Sequence, residues 1–415
     1  MAETSQRAWV LIPAGQQAAG QWIDDTLAQR VREAGMTAKA PLAGRFPRTR
    51  VEAVPAADVD SVVDTLFYAR GWTDGLPIVA PTVARVRAML RFSRHGPEHA
   101  LGEVDPLKGV ATIEKVAANA VMAGCRPEYF PVVIAAVEAI LDPAFNLRGV
   151  QTTDENVAPL LVINGPIAQA LEVNSGFGVL GPGWRANASI GRAIRMVMNN
   201  VGGGWPGAVS FAGLGQAGKY TLCLAENAIQ SPWNPLHVEQ GFSADANVVT
   251  VMRAETVINV TGGLAEIASV MGTAASAFSA LWSGCSTVIV SPALAIALAR
   301  DGIDKQATRE WLFDHGRWPA AQWRASWLFK TAGDIERWPE GIRKAAAGGA
   351  VPAVARAEDL VIVVAGGNVP IPQHAYCPSW GFPPARISRE IRLPDDWEEL
   401  IAARRASEKR TLEIE

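Results

Sequence analysis

With 415 residues, 49% hydrophobic and 19% charged, the chain has enough apolar sequence for one large core or two ordinary ones, which excludes intrinsic disorder. Thirty-eight Lys and Arg against 41 Asp and Glu give a net charge of −3, so no global positive field draws a polyanion to the surface and nucleic acid is not an expected partner. The four cysteines lie 98, 62 and 92 residues apart, with no C-x-x-C pair and no zinc-ligand spacing, and no apolar run reaches the roughly 20 residues of a membrane span, so a soluble cytoplasmic protein is expected.

In chain order, the strand Trp9–Ile12, the turn at Pro13–Gly15 and an amphipathic helix closed by Gly35 predict a short N-terminal βα unit. The polar stretch Pro41–Pro55 reads as a linker, which sets a first segment at 1–55. Helices are expected to begin near Val59 and Thr82, on either side of the turn sequence Gly71-Trp-Thr-Asp-Gly-Leu-Pro77. Two helical patterns between Thr112 and Leu141 meet at Gly124, Cys125, Arg126 and Pro127. The apolar runs Leu160–Ile163, Val248–Val251, Val288–Val290 and Leu360–Val364 are strand-length and bounded by breakers. Alternating with helices, they predict an α/β fold with a largely parallel, buried sheet and flanking helices over 56–385. Asp304 suits an N-cap for a helix running to His315, and the five tryptophans from Trp311 to Trp338 suggest short helices on a flank, as interface or as core. A charged C-terminal segment, 386–415, closes the chain with a helix that Asp395 caps.

The densest glycine signal runs from Asn174 through Gly181, Gly183 and Arg185 to Asn187, directly before a helical pattern containing Arg192. With Asn187 as N-cap, it brings backbone N–H groups, the positive end of a helix dipole and two guanidinium groups to one place, which is anion-binding equipment. A loop that needs glycine for tight turns is the alternative. Downstream, Gly218–Asn227 reads as a helix with Lys219, Cys223 and Glu226 on one face at i, i+4 and i+7, either an acid–base stripe or a surface ion pair around a buried thiol. His237, in the proline-braced loop Ser231–Gly241, is a candidate proton shuttle or a satisfied structural histidine. Cys125 beside Arg126 is a candidate redox thiol or a buried one. No H-x-H, H-E-x-x-H or Cys/His cluster supports a metal site, and no G-x-S-x-G elbow supports a serine hydrolase.

At Gly71–Pro77, Glu114–Tyr129, Gly181–Asn187, Gly218-Lys-Tyr220 with Glu226-Asn227, and Ser231-Pro-Trp233 with His237-Val-Glu239, the chain resembles a bacterial family of large partners of small proteins carrying a UGSC or CGSC motif. The resemblance covers roughly 60–385. The chain departs from the pattern in having no CGSC of its own, Trp282-Ser-Gly-Cys-Ser286 being a partial echo. In its size and its expected small partner subunit it also resembles, more weakly, the two-component aziridine-forming enzymes of azinomycin-type antibiotic biosynthesis, which eliminate sulfate.

The second resemblance implies a lyase or cyclase of specialised metabolism that needs neither metal nor other cofactor. It would close a ring on a small amine, free or bound to a carrier protein, by expelling a sulfate-like anion. Gly181, Gly183, Arg185, Asn187 and Arg192, with Asp74 and Arg126, would bind the anion and substrate, and Lys219, Glu226 or His237 would take the proton. A thiol- or selenol-linked reductase component using Cys125 and a non-catalytic substrate-binding subunit are the alternatives.

Overall fold

The computed structural model describes residues 7–10, 50–53, 59–273, 284–332, 336, 338, 340–379 and 385–412. The chain divides into two compact units that interleave in sequence: 1–141 with 192–210 and 390–415, and 142–191 with 211–389.

The first unit is mainly helical. Its strands are two antiparallel pairs, β1 (Arg7–Val10) with β2 (Arg50–Ala53), and β3 (Ala100–Val104) with β4 (Gly109–Thr112). β2 falls inside the stretch expected to be a linker, and the helix expected before Gly35 lies outside the described residues. The helices Val59–Arg70 and Val83–Leu90 start within a residue of their expected positions, the second capped by Thr82. The helices Ile113–Met122 and Phe130–Ile140 are almost wholly buried, the second as its nearly all-round apolar sequence requires. Between them Gly124 is left-handed and Pro127 opens a short 3-10 turn.

The second unit is a sandwich. One sheet has the order β14 (Arg386–Glu390), β7 (Val248–Ala254), β5 (Ala158–Asn164), β6 (Cys223–Ala225), and the other β12 (Leu360–Val364), β9 (Ser286–Val290), β13 (Gln373–Cys377), β8 (Ile258–Thr261). β5 and β6 run parallel, as do β9 and β12, but β7 is antiparallel to β5, and β13 to both β8 and β9. The fold is therefore α/β as expected, with two small mixed sheets in place of one largely parallel sheet. Fully apolar strands fit either arrangement, since a strand covered on both faces has no alternation to reveal its neighbours' direction. Alternate residues explain the layering. Leu160, Val162, Met252 and Ala254 from one sheet share an apolar cluster with Ile289, Val361, Val363 and Ala375 from the other. The remaining faces of β9 and β12, Val288, Val290, Leu360 and Ile362, pack with Ile267, Met271, Leu298 and Leu312 of the helices Leu264–Met271, Pro292–Arg300 and Lys305–His315.

Beyond the sandwich, β10 (Arg317–Pro319) and β11 (Ala350–Pro352) pair beside a small core of Trp318, Trp323, Trp338 and Ile342. Most of the Trp-rich flank is thus core packing, and Trp327, 73% exposed, is the exception. Among the described residues no single helix is long and apolar enough to cross a membrane.

Candidate functional site

In the second unit the four parallel strands end on one edge. The Asn227 N–H after β6 donates to the Val364 carbonyl at the end of β12 (2.7 Å), and Ala365 N–H donates to Val290 at the end of β9 (3.0 Å). Loops beyond the carboxyl ends of parallel strands are where α/β folds commonly place ligands. Here that edge carries Asn164, Glu226, the loop 226–241 and the glycine-rich loop 174–184.

The glycine loop is tied down at its start and open at its end. Asn187 is buried; its Oδ1 accepts from Asn174 N–H (2.8 Å) and its Nδ2 donates to the carbonyls of Asn174 (3.0 Å) and Cys223 (3.1 Å). It is therefore not an N-cap. The helix starts two residues earlier, Arg185–Asn200, because these three bonds to the loop and to β6 outcompete a local cap. Gly183, at φ +116°, makes the turn into the helix in a region closed to other residues. Gly181, Gly183 and Arg185 are exposed, and Arg185, in the helix's first turn, has no side-chain hydrogen bond or ion pair among the described residues. Phe177, Leu180 and Trp184 are also exposed in this loop.

Lys219 does not lie on a helix with Cys223 and Glu226. Ala217–Lys219 is a single 3-10 turn, and Cys223–Ala225 is a buried strand pairing with Leu161–Ile163, so the i, i+4, i+7 face does not exist. Tertiary pairing overrides a spacing that fits a helix by coincidence. Lys219 is half-buried, two residues from Thr221, whose hydroxyl donates to the Asn187 carbonyl (3.0 Å).

Glu226 enters a buried ionic network that sequence reading missed. Its Oε2 accepts from Asn164 Nδ2 (2.7 Å) and Leu236 N–H (2.6 Å), and its Oε1 lies 3.5 Å from Lys305 Nζ. Lys305 also meets Glu239 (2.8 Å) and donates to the Asn234 carbonyl (3.0 Å). Glu239 in turn meets Arg309 (2.9 Å), which donates to the Leu360 carbonyl and to Gln306. Two carboxylates and two cations balance, and the network clamps the loop 226–241 to the helix Lys305–His315. The one sequence signal was the scarcity of lysine, eight in the chain, with Lys305 following directly on the N-cap Asp304, whose side chain accepts from Ala307 N–H.

His237 is buried in the four-residue helix Leu236–Glu239. Its Nε2 lies 3.3 Å from the Ala244 carbonyl, so Nε2 carries the hydrogen; Nδ1 has no hydrogen-bond partner among the described residues. That assignment leaves a bare lone pair on Nδ1.

The remaining expected site residues belong to the first unit. Arg192 forms a bidentate pair with Asp74, Nε–Oδ2 2.7 Å and Nη2–Oδ1 2.8 Å, and also donates to the carbonyls of Leu76 and Pro77. With both side chains largely buried, the pair fastens the Gly71–Pro77 turn and leaves neither residue for an anion. Arg126 lies 3.9 Å from Glu128, which also meets Arg404. All four cysteines are buried. Burial pushes the Cys285 thiol up to about 11, with Asp359 adding to it, and Cys377 up to about 12. Among the described residues no three His, Cys, Asp or Glu side chains gather as metal ligands.

Comparison of the chain with known protein families, curated proteins and solved structures finds no match.

Proposed function

We propose that the chain is the large subunit of a two-component cytoplasmic enzyme that closes a small ring on an amine by expelling a sulfate-like anion, aziridine formation being one form of the reaction. What carries this reading is the exposed Arg185 in the first turn of a 16-residue helix, behind the glycine loop. Internal displacement asks for an aligned carbon, a neutral amine and a place for the departing charge, so positioning and electrostatics supply most of the rate. Arg185 and the helix's first N–H groups provide the positive pole. Lys219, half-buried on the turn Ala217–Lys219, is given no role in this reading.

Of the other two acceptors, Glu226 is committed to Asn164, Leu236 and Lys305, whereas His237 retains a lone pair on Nδ1. His237 is the acceptor we favour. The reductase reading is weaker here, since Cys125, its candidate thiol, is buried and a reactive thiol is ordinarily accessible. A binding-subunit reading draws on Phe177, Leu180 and Trp184, an exposed apolar group suited to a partner surface.

The test is sulfate release from 2-aminoethyl hydrogen sulfate by the complex purified from its native cell, with wild-type chain and Arg185→Ala. The reading expects a loss of about a hundredfold in rate with an unchanged melting temperature. Unchanged turnover per folded molecule contradicts it.

A further inference from the structure

Two histidines of the first unit, His95 and His99, stack ring on ring, with centroids 4.1 Å apart and planes 9° from parallel. Each is tied to a different helix. The His95 N–H donates to Ser93 Oγ (3.0 Å), whose hydroxyl donates to the His95 carbonyl (3.0 Å). The Ser93 N–H in turn donates to the carbonyl of Leu90 (3.1 Å), the last residue of the helix Val83–Leu90. The His99 N–H closes the turn by donating to Gly96 (3.1 Å), and the His99 carbonyl accepts from the N–H of Ile113 (2.9 Å), the first residue of the helix Ile113–Met122. Pro97 accepts from the Glu114 N–H (3.0 Å) in the same way. N–H groups in a first helical turn have no partner within their own helix, so this turn satisfies two that would otherwise need water. The stack therefore fastens the end of one helix to the start of the next.

His95 is half-buried and His99 exposed, so solvent protons reach the pair. Two imidazoles stack without charge repulsion as long as one is neutral. Two imidazolium ions at this spacing repel by enough for about a fivefold shift in an equilibrium even with the full screening of water. The surrounding charges do not cancel that repulsion. Arg94 and Arg392 act on His95 with the same sign as His99, and Glu138, from the helix Phe130–Ile140, with the opposite one; Arg94 itself meets Asp395 at 3.6 Å. Glu98, in the turn, acts on Glu114 and Lys115 of the helix beneath. Burial and Glu98 raise the Glu114 carboxyl; as pH falls it gains its proton and loses its repulsion with Glu98, so it does not drive the turn away. Burial, and after it the charge of His99, hold His95 below the ordinary histidine range. The folded chain binds that proton less tightly than the unfolded one, so the contribution is present above pH 6.5 and is lost as pH falls through the folded value.

We infer that the His95–His99 stack is an acid-released clasp between the helices Val83–Leu90 and Ile113–Met122. With at least one ring neutral it holds the turn Gly96–His99 over the helix start. With both rings protonated the rings part, the turn lifts, and the Ile113 and Glu114 N–H groups pass to solvent. Deprotonation closes it again. The clasp lies wholly within the first unit and is independent of the anion site in the second.

The test is hydrogen exchange resolved to single amides on the native full-length chain near pH 7.5 and pH 5, each rate divided by its intrinsic value at that pH. Protection of Ile113 and Glu114 is expected to fall at least about fivefold at the lower pH and to recover on return to the higher one, while the amides of β5 keep theirs. His99→Phe and His95→Phe each keep a ring in the stack that cannot be charged, and both are expected to hold their protection at pH 5 within about twofold of its value at pH 7.5. Unchanged wild-type protection overturns the inference, as does an equal fall in the two phenylalanine variants. A fall at β5 in step with Ile113 and Glu114 marks general unfolding and overturns it too.

Discussion

Replacing Lys305 with Met tests whether the network around Glu226 is internal architecture. The Glu226 side chain is fully buried and the Lys305 side chain is 6% exposed, so solvent screens their attraction little. Loss of the ammonium leaves Glu239 its contact with Arg309 (2.9 Å) but leaves Glu226 no cation, only the hydrogen bonds from Asn164 and Leu236. Stranding one partner of a buried pair costs about 3–5 kcal/mol, and the two surviving donors place Lys305→Met toward the lower end. Urea denaturation followed by tryptophan fluorescence measures it, with the buried Trp233 as a reporter on the clamped loop. Adding Glu226→Gln removes the stranded charge and is expected to recover part of the loss, so the pair couples in a double-mutant cycle. Lys344→Met, which breaks an exposed pair with Glu340, is the control and is expected to match wild type. A Lys305→Met loss no larger than this control, or simple additivity with Glu226→Gln, refutes the reasoning.

Glu255, raised from 4.5 to about 8 by burial and then by Glu155, binds its proton more tightly folded than unfolded. Its favourable contribution is therefore full below about pH 4.5 and is lost as pH rises through 8. Glu255→Gln should match wild type near pH 4.5 and exceed it above pH 8 by on the order of a few kcal/mol; parallel pH–stability curves would contradict this. With all four cysteines buried, a thiol reagent at pH 8 should find no rapidly reacting group in the native chain and four after denaturation. A prompt native thiol would revive the redox reading. Arg192→Lys loses the bidentate contact with Asp74, so it should lower the melting temperature without changing sulfate affinity; an altered affinity would return Arg192 to the anion site.

Local signals were legible in the sequence. The strands around Leu160–Ile163, Val248–Val251, Val288–Val290 and Leu360–Val364 all form, and Thr82, Pro127 and Asp304 mark helix starts. Contacts made across long stretches of chain were not. Arg192 finds Asp74 118 positions away and Lys305 finds Glu226 79 positions away, and neither partner leaves a mark near the other. Cys223–Ala225 is a strand only because Leu161–Ile163 lies beside it, and Asn187 leaves its capping role only because Asn174 and Cys223 are within reach. The interleaving of the two units is a property of the same distant contacts.

The central claim, an anion site at the start of the helix Arg185–Asn200, is tested most directly by thermal stability against sulfate concentration at constant ionic strength. A site that binds only the folded state stabilises it by RT ln(1 + [L]/Kd). Wild type should gain stability with sulfate over matched chloride, and Arg185→Ala, equally stable without sulfate, should lose most of that gain. Equal sulfate responses in the two proteins would contradict the claim.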